Sequence, residues 1–277
     1  MEETKEIKKV SPFEKRIHEI DFVRGLLMCL VILDHLFNLL MSFNKTWMGP
    51  ECIQPFATIY NVAHWYWTNP IRDVVRWIAL AAFCFVSGIS SAFSKNNWKR
   101  AIEMVVLWFI IFIVSNLLQL GYRASGLDLG IRSCRVDFNI IGVLAFSTLI
   151  YCFFQKKDWR WLLGAAGVGF LIHIIVEICF LSIPNFGENL YMVILWRPSP
   201  MIADQADWMP LFPYISFFFL GAMLSYFTYS KNRVSYFKRH EWERPICFLG
   251  RHSLIVYASH FIILIGIFSL IGLFIGG

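Results

Sequence analysis

Seven apolar runs, at about 22–42, 74–93, 101–120, 138–154, 161–183, 211–229 and 253–275, set what this chain can fold into. Each approaches the roughly 20 residues that an α-helix needs to cross a bilayer core of about 30 Å. A soluble core has no room for seven such segments in 277 residues, and none is left over for a separate soluble catalytic domain. The composition agrees: 57% of residues are hydrophobic and 16% charged, against roughly 45–50% and about 25% in soluble domains. The spacing therefore predicts an all-α, polytopic transmembrane helix bundle of about seven spans, one integral membrane domain over residues 1–277. A formal charge of +6 could suggest nucleic acid, but there is no basic stripe interleaved with exposed aromatics and no nucleic-acid motif.

The basic residues instead punctuate the runs and predict an orientation. The segment before the first run, the 94–100 connection, the 155–160 connection and residues 231–251 carry 17 of the 25 Lys and Arg residues. The opposite connections hold Lys45, Arg72, Arg76, Arg123, Arg132, Arg135 and Arg197. By the positive-inside rule the N-terminal segment 1–20 is cytoplasmic and stays on the protein, Gly277 lies outside, and the protein sits in the cell membrane. A re-entrant or crossing piece at 189–197 would add an eighth span and reverse the C-terminus. The long outer connections 43–73, 121–137 and 184–210 are rich in Trp, Pro, Asn and Asp, a length more often functional than connecting. Their tryptophans also suit an interfacial belt. Of seven cysteines, Cys52 and Cys134 fall in these connections, where a disulfide between them is an open alternative.

Ionisable groups inside a span are costly and usually face a bundle interior or a wet cavity. The first run holds several: Asp21, Arg24, Asp34 and His35. Arg24 and His35 are eleven residues apart, which puts them on nearly one helix face, about 16 Å apart along the axis. One face thus carries a cation near the cytoplasmic surface and an imidazole deeper in. That suits a large anionic donor held at Arg24 and a general base at His35. The blander alternative is a snorkelling Arg24 neutralised by Asp21, with His35 bonding between helices. Asp34 joins His35 as a catalytic candidate, but it points about 100° away around the helix, so pairing with Arg72 or Arg76 is an equally good reading. His173 and Glu177, at i, i+4 in the fifth run, form either an interhelical pair or an acceptor-binding group; two ligands are too few for zinc. His260 is a packing histidine or a second acid–base group of the same cavity. Arg100 and Arg251, at the cytoplasmic edge, are candidates for donor phosphate.

The R-x10-H spacing of Arg24 and His35 resembles the signature of acyltransferase-3-type membrane acyltransferases. Its context, RIHEIDFVRGLLMCLVILDH, is similar to the opening of the heparan-alpha-glucosaminide N-acetyltransferase catalytic-domain family. FCFVSGISSAFSKNNWKR (83–100), MPLFPYISFFFLGAMLSY (209–226) and FLGRHSLIVYASHF (248–261) point the same way. The resemblance implies a transmembrane acyltransferase fold. It further implies transfer of an acetyl group from cytosolic acetyl-CoA, or another acyl-CoA, to an amine or hydroxyl of a carbohydrate-like or other small acceptor on the far side, without a metal. Arg24 and His35 occupy the R-x10-H positions. Family members often read G-[IV]-L-H in the fourth span, where this chain has Gly142-Val143-Leu144-Ala145. Membrane lipids are the expected surroundings, and a homodimer is left open. A different class also fits: a small-solute or lipid-linked-substrate transporter with a proton relay through Arg24, Asp34, His35, His173 and Glu177.

Overall fold

The computed structural model describes residues 17–42, 54–125, 135–186, 192–195, 205–228, 235–237 and 240–275, and these are helical with no strand among them. The helices are α1 (His18–Ser42), α2 (Phe56–Thr68), α3 (Pro70–Phe93), α4 (Asn97–Ser125), α5 (Ile140–Phe154), α6 (Trp159–Ser182), α7 (Met192–Leu195), α8 (Tyr214–Thr228), α9 (Arg244–Arg251) and α10 (Ser253–Ile275). Each of the seven apolar runs becomes one long helix, and the protein is a polytopic all-α membrane bundle. Among the described residues four helices are long and apolar enough to cross a bilayer by themselves: α1, α3, α4 and α6. The pair formed by residues 241–251 and α10, bent by 81°, passes the same test jointly and makes a fifth if it is counted as one span.

The two shorter apolar helices, α5 and α8, have 15 residues each, about 22 Å of helix. Ile140 through Ala145, Ser147, Thr148, Tyr151 and Cys152 of α5 are all buried, as expected of a helix apolar on every side. Ala145, at the position where the family often has histidine, is part of this packed core. Of the 189–197 segment the described residues, 192–195, form one helical turn, α7, whose Ile194 carbonyl accepts from the Leu211 amide at 2.7 Å.

Local chemistry starts the helices. Asn69 accepts from the Ile71 amide ahead of Pro70, Asn139 from the Ile141 and Gly142 amides, and Asp158 from the Trp159 amide. Short polar side chains at the N-cap satisfy amides that a helix leaves unbonded. Contacts fix the directions. Ile17 and Ile20 pack with Val86 and Ile89 while Asp34 pairs with Arg72, so α3 runs against α1. His35 meets His260 and Leu39 meets Phe268, so α10 runs with α1.

Two glycine crossings lock the bundle. A Cβ on Gly88 would strike the Phe218 carbonyl oxygen, and one on Gly221 the Phe85 carbonyl oxygen, so α3 and α8 touch backbone to backbone. At the His18 end, Gly25 faces the Ile246 carbonyl and Gly250 the Asp21 carbonyl in the same manner, which seats α9 on α1. Small residues let membrane helices approach this closely. Each of the four sequence blocks that carry the resemblance supplies one of these glycines.

The partner the structure gives Asp21 is Arg251. The carboxylate pairs with it at 3.1 Å, both side chains largely buried. Cys52, Cys134, Met1 and Gly277 lie outside the described residues, as do the expectations placed on them. Cys29, Cys84, Cys152, Cys179 and Cys247 are free thiols.

Candidate active site

Toward the Ser42 end of α1, a cavity of about 380 Å³ opens between α1, α2, the start of α3, the 205–209 segment and α10. That is the size of a small-molecule site. His35 and Asp34 both line it, together with Asn38 one turn further along α1.

Asp34 is held on three sides. Arg72 Nε donates to Oδ1 and Arg72 Nη2 to Oδ2, each at 2.8 Å, and the Tyr66 hydroxyl donates to Oδ1 at 3.2 Å. Arg72 also bonds Asp73, and its guanidinium carbon stacks 3.8 Å from the centroid of the Trp67 ring. Burial, then the Asp34 charge, pushes the Tyr66 hydroxyl above its ordinary pKa against the opposing pull of Arg72, so it remains a donor. A forked guanidinium on a carboxylate is a strong, directional pair. Of the two readings open for Asp34, the structure gives the pairing with Arg72. The carboxylate ties α1 to α2 and α3.

That pair carries a prediction. Arg72→Met leaves the Asp34 carboxylate partly buried without its cation, which should destabilise the protein by about 3 kcal/mol. Asp34→Leu combined with Arg72→Met removes both charges and should recover much of that loss. Thermal unfolding in detergent of the two single variants and the double variant measures the coupling.

His35 stands differently. Its ring lies 4.9 Å, centroid to centroid, from the ring of His260 and 5.6 Å from that of Phe261. Nδ1 of His260 is 2.6 Å from the Tyr257 carbonyl oxygen, so this nitrogen donates and Nε2 is left as the acceptor of the neutral ring. His35 Nδ1 and His260 Nε2 are both buried without a protein hydrogen-bond partner. Buried polar atoms are seldom left so, and here two such nitrogens stand on adjacent rings.

The rest of the wall includes Tyr257 and Asp207, which the sequence did not single out, and Arg76, which it offered as a partner for Asp34. The Tyr257 hydroxyl donates to Asp207 Oδ2, and Arg76 Nη2 reaches the Trp208 carbonyl oxygen at 3.5 Å. The Ala206 amide bonds the Arg135 carbonyl and the Met209 amide the Phe138 carbonyl, so 205–209 is pinned over the cavity. Tyr257 and His260 share a face of α10 at i, i+3, a spacing visible in YASHF; Asp207 had no such signal.

The other expected residues lie elsewhere. Arg24, half-buried three turns before His35, does not line this cavity. Arg100 Nη1 donates to Ser91 Oγ at 3.2 Å, and Arg251 is taken by Asp21. These three arginines gather toward the His18 end of the bundle. His173 and Glu177 sit on α6, whose main partner is α8, and line neither this cavity nor the groove beside α6. The structure thus joins His35, Asp34 and His260, and separates them from the arginines and from the His173–Glu177 pair.

Neither a curated protein nor a solved structure matches the chain. The family model described as heparan-alpha-glucosaminide N-acetyltransferase, catalytic, matches residues 16–262, a stretch that takes in both glycine crossings, the His35–His260 pair and every described side chain named above in the cavity wall. The chain therefore belongs to the heparan-alpha-glucosaminide N-acetyltransferase catalytic-domain family, a family of membrane acetyltransferases.

Proposed function

We propose that the protein moves an acetyl group from cytosolic acetyl-CoA to an amine or hydroxyl of a carbohydrate-like acceptor held in the His35 cavity. The observation that carries the reading is the buried, unpartnered Nδ1 of His35, a residue that lines a cavity of small-molecule size, with the equally unpartnered Nε2 of His260 on the ring packed behind it and outside the cavity wall. His35 accepts the acceptor's proton as its nitrogen or oxygen attacks the thioester carbonyl carbon. The carbon–sulfur bond breaks, and the proton passes to the departing CoA sulfur. Tyr66, Asp207 and the two tryptophans, Trp67 and Trp208, offer the mixture of hydrogen-bonding groups and flat apolar faces that a polyhydroxylated ring can use.

On this reading the His18 end faces the cytosol, as the basic residues direct, and Arg24 and Arg100 attract the donor's phosphates. Arg251 contributes less than the sequence suggested, because Asp21 already occupies it. The test uses purified protein in lipid vesicles, acetyl-labelled acetyl-CoA and a panel of amino sugars and neutral sugars. Label should move to an acceptor and free CoA should appear in equal amount. Solute uptake with no acetylated product would instead support the transporter reading.

A further inference from the structure

A second cavity lies on the far side of the bundle from His35, between α5, α6 and α8, with a volume of about 540 Å³. Ile150 and Phe154 of α5 form one apolar wall, and Ile215 and Phe219 of α8 with Phe212 just before it form another. The third is α6, hollowed by Gly164, Ala165 and Gly169. A Cβ on Gly164 would meet nothing within 4 Å, so the hollow is open space there, whereas one on Gly169 would strike Ser216 Oγ, where α6 packs directly on α8 and closes the inner side. From Arg160 to Ile172, the extent of α6 along the groove, the helix rises about 18 Å. That is close to the depth of one leaflet, about 15 Å of hydrocarbon.

The charge is all at one end. Arg160 lines the groove mouth with its side chain 79% exposed, and Lys157 Nζ lies 5.7 Å from the centroid of the Trp161 ring beside it. Lys156 is adjacent and exposed. The acid at this end is Asp158, whose Oδ1 caps the Trp159 amide and whose Oδ2 stands 3.9 Å from Arg160 Nε. Three cations against one such carboxylate leave the mouth positive, and Trp159 and Trp161 sit where rings gather at headgroup depth. A groove one leaflet deep, apolar along its length and positive at its rim matches one kind of occupant.

We propose that this groove binds an anionic phospholipid from the leaflet at the His18 end, with an acyl chain along Gly164 and Val168 and the phosphate at Arg160 and Lys157. The site is independent of the acetyl-transfer reading, since neither His35 nor its cavity takes part.

The experiment equilibrates the purified full chain in micelles containing phosphatidylglycerol and phosphatidylcholine together, then counts the lipid retained by native mass spectrometry. The wild type should retain phosphatidylglycerol over phosphatidylcholine by roughly tenfold, as basic groups at a membrane surface favour anionic lipid. Lys157→Gln with Arg160→Gln should erase that preference. Gly164→Leu fills the groove and should lose bound lipid of both kinds. Gly167→Leu, on the same helix with equally open space but outside the groove, should keep it. Equal retention of the two lipids by the wild type, or an unchanged preference in the Lys157/Arg160 variant, would overturn the proposal. If Gly164→Leu fails to fold, the charge variant decides alone.

Discussion

His35→Ala should lower acetyl transfer by a factor on the order of 10²–10⁴, the usual cost of losing a general base, while protein yield and thermal midpoint stay near wild type. The ring contributes few packing contacts that its neighbours cannot keep: it faces the cavity on one side and His260 on another. His35→Gln sharpens the test. Glutamine can hold a hydrogen bond but takes no proton at neutral pH, so it should resemble alanine if the ring works as a base and wild type if it only bridges helices. His260→Gln should fall between. Its Nδ1 is already committed to the Tyr257 carbonyl, so the ring bears on the reaction through His35, and its loss should shift the pH profile of turnover more than the acceptor KM. An active His35→Gln protein with normal turnover would move the chemistry to His260.

Gly221→Leu should leave almost no folded protein. Overpacking a core costs about 1–3 kcal/mol when side chains can shift, but here the added Cβ meets the Phe85 carbonyl oxygen, part of a helix backbone that cannot shift alone. The partner position Gly88 meets the Phe218 carbonyl in return, so relief requires parting α3 from α8 along their whole contact. Gly121→Leu is the control: nothing lies within 4 Å of a Cβ there, and that variant should purify as a monodisperse species like the wild type. Size-exclusion yield of the two variants separates the outcomes. A folded Gly221→Leu protein would mean that the two helices do not cross at this glycine.

Much of the fold was legible because its cause is local. A run of about 20 apolar residues becomes a helix whatever it packs against, and the seven runs map onto α1, α3, α4, α5, α6, α8 and α10. The glycines stood in the recognised blocks, although their partners did not show. What stayed hidden depends on distant pairs. Asp21 was read against Arg24 one turn away, and its partner Arg251 is 230 residues along the chain. Helix α2 was read as part of an outer connection, since 13 residues with Trp65 and Trp67 lack the length of a span. It nevertheless supplies Tyr66 and Trp67 to the cavity. His35 and Asp34 were legible because charge inside an apolar run stands out. Asp207 sits in a segment already rich in polar residues, where one more carboxylate carries no signal. Its place beside Tyr257 follows only from the folding of 205–209 onto α10.

The central claim is that this bundle takes its acyl group from CoA, and equilibrium binding of acetyl-CoA to the purified protein tests it most directly. The account predicts saturable binding that His35→Ala leaves intact and Arg24→Ala weakens, because the guanidinium's charge-assisted bonds to phosphate are lost while the imidazole acts only on the acceptor. No saturable binding by the wild type, under conditions where the protein is folded and monodisperse, would contradict it.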